Sequence, residues 1–181
     1  MKEIGLSVPA FFNTIEETAF STWIRESPSL FAFYFILLFH TVGLSIVVGA
    51  SAILDLRLLG VAASLPLKPL KRLFRIMWAG LTINVLTGLL LLFAYPTKAL
   101  TNPVFYAKLT LIALAVITMR RIGVRVFGNA GLSEPDMMAK GKTMAILSLV
   151  FWASAVSAGR LLAETYTWLT YHSYLLGITR S

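Results

Sequence analysis

The chain has 181 residues, of which 57% are hydrophobic and 13% charged, with a mean hydropathy of +0.79; a soluble domain is about a quarter charged, so an integral membrane protein is indicated instead. No cysteine occurs, which excludes disulfides, thiolate metal sites and cysteine nucleophiles. The formal charge of +8 would suggest nucleic acid in a soluble protein, but here the basic residues flank apolar runs, where they act as topology determinants, and no nucleic-acid partner is expected.

Residues 1–28 form a net acidic leader, with Glu3, Glu16, Glu17 and Glu26 against Lys2 and Arg25. The opening MKEIGLSVPAFF lacks a charged head, an apolar core and a small-residue cleavage site, so no removable signal peptide is expected. Phe11, Phe12, Ile15, Ala19, Trp23 and Ile24 share one helical side. That pattern fits a helix lying in the headgroup layer, or one packed on the bundle ends. Pro28 marks the turn into the first span, placed at 30–54.

From 28 to 54 the sequence holds no Asp, Glu, Lys or Arg, a run longer than the roughly 20 apolar residues that cross a hydrocarbon core. His40 is its one ionisable group, and Asp55 with Arg57 follows. A basic loop with Lys68, Lys71, Arg72 and Arg75 leads to a second span at 76–95, in which Gly80, Asn84 and Gly88 lie four apart. Such a small and polar face admits a close helix neighbour and interhelical hydrogen bonds. Asn102 and Pro103 read as a cap and first helical residue for a third span at 104–121. Lys108 lies just inside it, close enough to snorkel to the interface. Ser133 with Asp136 resembles a capping box. The fourth span, 143–163, carries Ala155 and Gly159 on a close-packing face, then Arg160 and Glu164; the tail, 164–181, supplies Tyr and Trp for an interfacial belt.

The first and third loops hold the basic clusters and the second has Lys98 alone, so the positive-inside rule sets the first and third loops in the cytoplasm and both termini outside. The expected fold is all-α: one domain, 1–181, in which four transmembrane helices form a bundle in the bacterial inner membrane, with interfacial helices at both ends.

Several motifs recur together: Ile24 to Ser27, His40 with Gly43, DLRLLG from Asp55 to Gly60, Trp78 with Gly80, Thr87 with Gly88, Asn102-Pro103 with Lys108, and Gly159-Arg160. In these the chain resembles a bacterial family of four-span membrane proteins that carries a DLRLLG motif and is catalogued as a domain of unknown function. It is distantly similar to the membrane part of copper-resistance protein D. The resemblance implies fold and topology rather than a reaction. Many members carry a His near the cytoplasmic end of the third span, where this chain reads Ile117-Thr118-Met119-Arg120-Arg121, so a mechanism with a second imidazole there is not implied.

His40 has three readings: a packed residue bonded to Asn84, Thr87 or a main-chain carbonyl; a contact for haem b or quinone; and a metal ligand. His172 is expected at the outer surface, away from His40. Haem would therefore need a lone imidazole, His40 from two copies, or a methionine among Met77, Met119 and Met144. Arg160 either pairs with Glu164 or joins His40 and Asn84 around an acidic cofactor group. Asp55 and Arg57 are expected in structural ion pairs, with Arg72, Arg75 or Arg121 as partners for Asp55. No phosphate loop, His-Glu-x-x-His or paired carboxylate occurs in the spans. These features fit a non-catalytic accessory or anchor subunit of a membrane redox assembly. Alternatives are a copper or small-ion permease, and a scaffold that self-associates through its small-residue faces, as a homo-oligomer or in a larger complex.

Overall fold

The computed structural model describes residues 17–26, 33–129 and 131–175, with side chains of the last helix as far as Thr165. The expectations for Phe11, Phe12, Ile15 and Pro28, and for the side chains of the aromatic tail and His172, lie outside the described residues. Every regular element among the described residues is helical: α1 (Ala19–Glu26), α2 (Phe33–Leu58), a 3-10 turn (Lys68–Arg72), α3 (Leu73–Ala94), α4 (Pro96–Leu100), α5 (Pro103–Arg125) and α6 (Glu134–Leu175). Four helices are long and apolar enough to cross a membrane: α2, the Lys68–Ala94 stretch containing α3, α5, and α6 over Glu134–Thr165.

The chain divides into two compact units, one holding Met1–Ala50 with Arg75–Thr101 and the other Ser51–Phe74 with Asn102–Ser181. In the first, α2 and α3 run antiparallel and cross where both lack side chains. A methyl added at Gly43 would lie 2.8 Å from the Asn84 nitrogen and 2.9 Å from the Gly80 oxygen, and one at Gly80 would lie 2.9 Å from the Gly43 oxygen. Main chain meets main chain there, as small-residue faces permit. The α1 helix covers the end of α3: Ser21 Oγ donates to the carbonyls of Phe93 (3.0 Å) and Ala94 (3.5 Å), two groups a helix end leaves open. Ser21 and Ile24 are buried while Trp23 is exposed. Pro96 then begins the one-turn α4.

In the second unit, α5 and α6 form an antiparallel pair. Their buried stripes, Ala115, Thr118, Met119 and Ile122 on one and Ala145, Ser148, Trp152, Ala155 and Ala158 on the other, follow the three-and-four spacing of a helix face. Asn102 Oδ1 accepts from the Val104 N–H at 2.9 Å, and Pro103 occupies the first turn of α5. At the head of α6, Ser133 Oγ lies 2.5 Å from Asp136 Oδ2 and 3.4 Å from the Asp136 N–H. The expected caps are therefore present. The last helix nevertheless starts earlier than 143 and runs for 42 residues, because nothing after Pro135 breaks it.

The DLRLLG segment ends α2. Gly60 has φ +95°, and the N–H groups of Gly60 and Val61 return to the carbonyls of Arg57 (3.1 Å) and Leu56 (3.0 Å). This is a Schellman stop, in which a glycine takes the left-handed conformation that side chains disfavour.

Candidate functional site

The first candidate centre lies where α2 crosses α3. His40 Nδ1 is 3.0 Å from the Asn84 carbonyl oxygen and 3.1 Å from Thr87 Oγ1. A carbonyl oxygen can only accept, so Nδ1 must carry the proton. The Thr87 hydroxyl is committed to the Ile83 carbonyl at 2.7 Å, which leaves its oxygen available to accept as well. Asn84 reciprocates, its Nδ2 donating to the His40 carbonyl at 2.9 Å. Gly88 makes room for the ring: a Cβ there would sit 3.2 Å from His40 Cε1.

The consequence is a fixed tautomer. With Nδ1 protonated, the in-plane lone pair of the imidazole is on Nε2, and the ring orientation is held by a main-chain acceptor. Metal-binding and proton-accepting histidines are held in the same way. Met77 is fully buried on α3, but it lies seven residues before Asn84, roughly 10 Å along the axis. It therefore does not serve the same iron as His40. Asn84 Nδ2 also lies 3.5 Å from His40 Nε2, so the amide faces both the His40 carbonyl and the ring.

The second unit contains a different polar group. Asp55, Ser51 and Ser148 are 0–1% exposed. Ser51 Oγ donates to Asp55 Oδ2 at 3.1 Å and lies 3.2 Å from Ser148 Oγ. Asp55 Oδ1 has no hydrogen-bond partner. The expected pairing of Asp55 with Arg72, Arg75 or Arg121 is therefore replaced by hydroxyl contacts, since Asp55 is enclosed while all three arginines are exposed. Arg57 pairs instead with Glu134, NH2 to Oε2 at 3.2 Å, and also donates to the carbonyls of Leu65 (2.5 Å) and Ala63 (3.2 Å). Glu134 Oε1 accepts from the Leu67 N–H at 2.9 Å. This double contact ties the loop after α2 to the head of α6.

Arg160 and Glu164 pair at 2.9 Å with their side chains 80% and 58% exposed, a solvent- or headgroup-facing contact. Of the three residues proposed around a cofactor, His40 and Asn84 are in hydrogen-bond contact and Arg160 is engaged with Glu164. Ala155 is buried and Gly159 lies beside the Lys108 stem, so this small-residue stripe is used within the chain, as Gly80 and Gly88 are. Among the described residues no three His, Cys, Asp or Glu side chains gather as a metal-binding group.

No family model, no curated protein and no solved structure matches the chain. Site chemistry therefore rests on its own geometry. Sequence reading named Gly43 only within the His40 motif and did not single out Ser51, Glu134 or Ser148. Ser51 lies one helical turn before Asp55, a spacing that places both on one face.

Proposed function

We propose that this chain is a multi-pass protein of the bacterial inner membrane and an accessory or anchor subunit of a redox assembly, with haem b or a quinone contacted at His40. Four helices of spanning length support the membrane part, together with outward residues such as Leu86, Val124, Val150 and Leu161, each more than half exposed. The positive-inside count then puts the loops after α2 and α5 in the cytoplasm and both termini outside.

The observation that carries the site is the His40 tautomer. The Asn84 carbonyl requires Nδ1–H, a bond equally expected of a packed residue, and the cofactor reading adds that the ring lone pair then sits on Nε2. Through Nε2 His40 would ligate haem iron, itself the one-electron redox centre, or would accept a hydrogen bond from a quinol hydroxyl. The small-residue faces, occupied within the chain, do not favour the self-association reading.

The test is an absorption spectrum and an organic extract of protein purified in mild detergent. A Soret band or a stoichiometric quinone that disappears in His40→Ala and persists in Arg160→Ala is the expected result. Parent protein with neither group, when prepared from cells supplied with haem precursor, overturns the cofactor assignment.

A further inference from the structure

The Asp55 cluster is unexplained by the His40 reading and is built differently. Asp55 is 0% exposed, Ser51 1% and Ser148 0%, and two hydroxyls supply two protons to a carboxylate that accepts up to about four hydrogen bonds. Ser51 donates at Oδ2 and the Ser148 hydroxyl also bonds the carboxyl, while Oδ1 has no donor. Trp152, one turn beyond Ser148 on α6, is 2% exposed, and its Nε1–H also lacks an acceptor. A buried carboxyl oxygen lacking a donor calls for a partner that the protein side chains do not supply, because native structures rarely leave such groups unmet.

We infer that Asp55, Ser51 and Ser148 form an internal binding site for one sodium ion, with water completing its shell. Three features select this ligand. A single carboxylate balances one positive charge, whereas calcium sites gather several carboxylates and carbonyls. Oxygens 3.1 and 3.2 Å apart, already hydrogen-bonded to one another, are close enough to share one small cation. A larger ion such as potassium would push them further apart, and magnesium keeps most of its own water.

The experiment is thermal unfolding of the purified full chain in detergent, with NaCl, KCl or choline chloride at constant ionic strength. Saturating NaCl raises the midpoint by roughly 5 °C, as expected for a ligand that binds only the folded state, and KCl and choline chloride do not. Ser148→Ala keeps the carboxylate but loses one ligand, so about tenfold more NaCl is needed, equivalent to one hydrogen bond to a charged group. Asp55→Asn abolishes the response. A parent midpoint indifferent to NaCl overturns the proposal, as a carboxyl that simply carries a proton or a bound water would produce. Retention of the full sodium response in Ser148→Ala also overturns it, and this arm remains readable if Asp55→Asn does not fold. The His40 reading is unaffected by either result.

Discussion

Replacing Gly43 by alanine forces α2 and α3 apart at their closest approach. The new methyl carbon would lie 2.8 Å from the Asn84 nitrogen and 2.9 Å from the Gly80 oxygen, both of them main-chain atoms that no rotamer change can move. Restoring ordinary contact near 3.5 Å requires a separation of about 0.6 to 0.7 Å. His40 is one turn away, so its 3.0 Å contact with the Asn84 carbonyl would stretch to about 3.7 Å, beyond hydrogen-bond range. The reciprocal Asn84 to His40 bond, now 2.9 Å, would open similarly. Overpacking costs about 1–3 kcal/mol and two lost hydrogen bonds about 1 kcal/mol each, together about 3–5 kcal/mol. For a chain of this size that lowers the unfolding midpoint by about 10 °C, followed by far-UV circular dichroism in detergent. Gly49 is the control, since a Cβ there meets nothing within 4 Å, and Gly49→Ala gains about 0.5–1 kcal/mol from helix propensity. If Gly43→Ala unfolds at the parent's midpoint while the control behaves as stated, the close crossing is wrong.

Three further outcomes are expected. Arg57→Ala removes a 4% exposed guanidinium from Glu134 and two carbonyls; because Glu134 is 37% exposed and regains water, the loss is about 2–3 kcal/mol rather than the full cost of breaking a buried pair, and a double-mutant cycle with Glu134→Gln measures the coupling. Arg160→Ala breaks an exposed pair and changes stability by less than about 0.5 kcal/mol, so a large drop in its denaturation midpoint would contradict the exposed placement. Single cysteines introduced at Lys71 and Lys98 of this cysteine-free chain should react with an impermeant maleimide from opposite sides of the membrane; labelling of both from one side rejects the proposed topology.

The long apolar runs and the two capped helix starts were legible because each depends on residues adjacent in sequence. Helix ends were less so. The α6 helix begins well before the expected span because helix formation follows caps and breakers, whereas a spanning estimate follows hydropathy, and Lys140 and Lys142 interrupt only the second. The bonding of His40 to Asn84 and Thr87 was legible from chemistry, since few groups in that environment can accept from an imidazole. The partners of Asp55 and Arg57 were not: Ser148 lies 97 residues from Ser51 and Glu134 lies 77 from Arg57. Charge alone directed Asp55 to a loop arginine. Burial directs it to hydroxyls, because α2 continues helical beyond Asp55 and keeps that side chain inside.

The DLRLLG segment reads as one motif but contains three separable physical tasks. Gly60 stops the helix by taking a backbone conformation that costs other residues energy. Arg57 donates to the Leu65 and Ala63 carbonyls and Glu134 accepts from the Leu67 N–H, which together secure the loop. Leu58, 1% exposed, fills the core. Each of these contributes to stability, and stability is sufficient reason for it. Asp55 is different. Burying a carboxylate with one oxygen unmet opposes folding, and an asparagine would keep the Ser51 bond without the charge. The carboxylate is therefore the part of the motif that fold stability does not call for, and it is this excess that the proposed sodium ion beside Ser51 and Ser148 would explain.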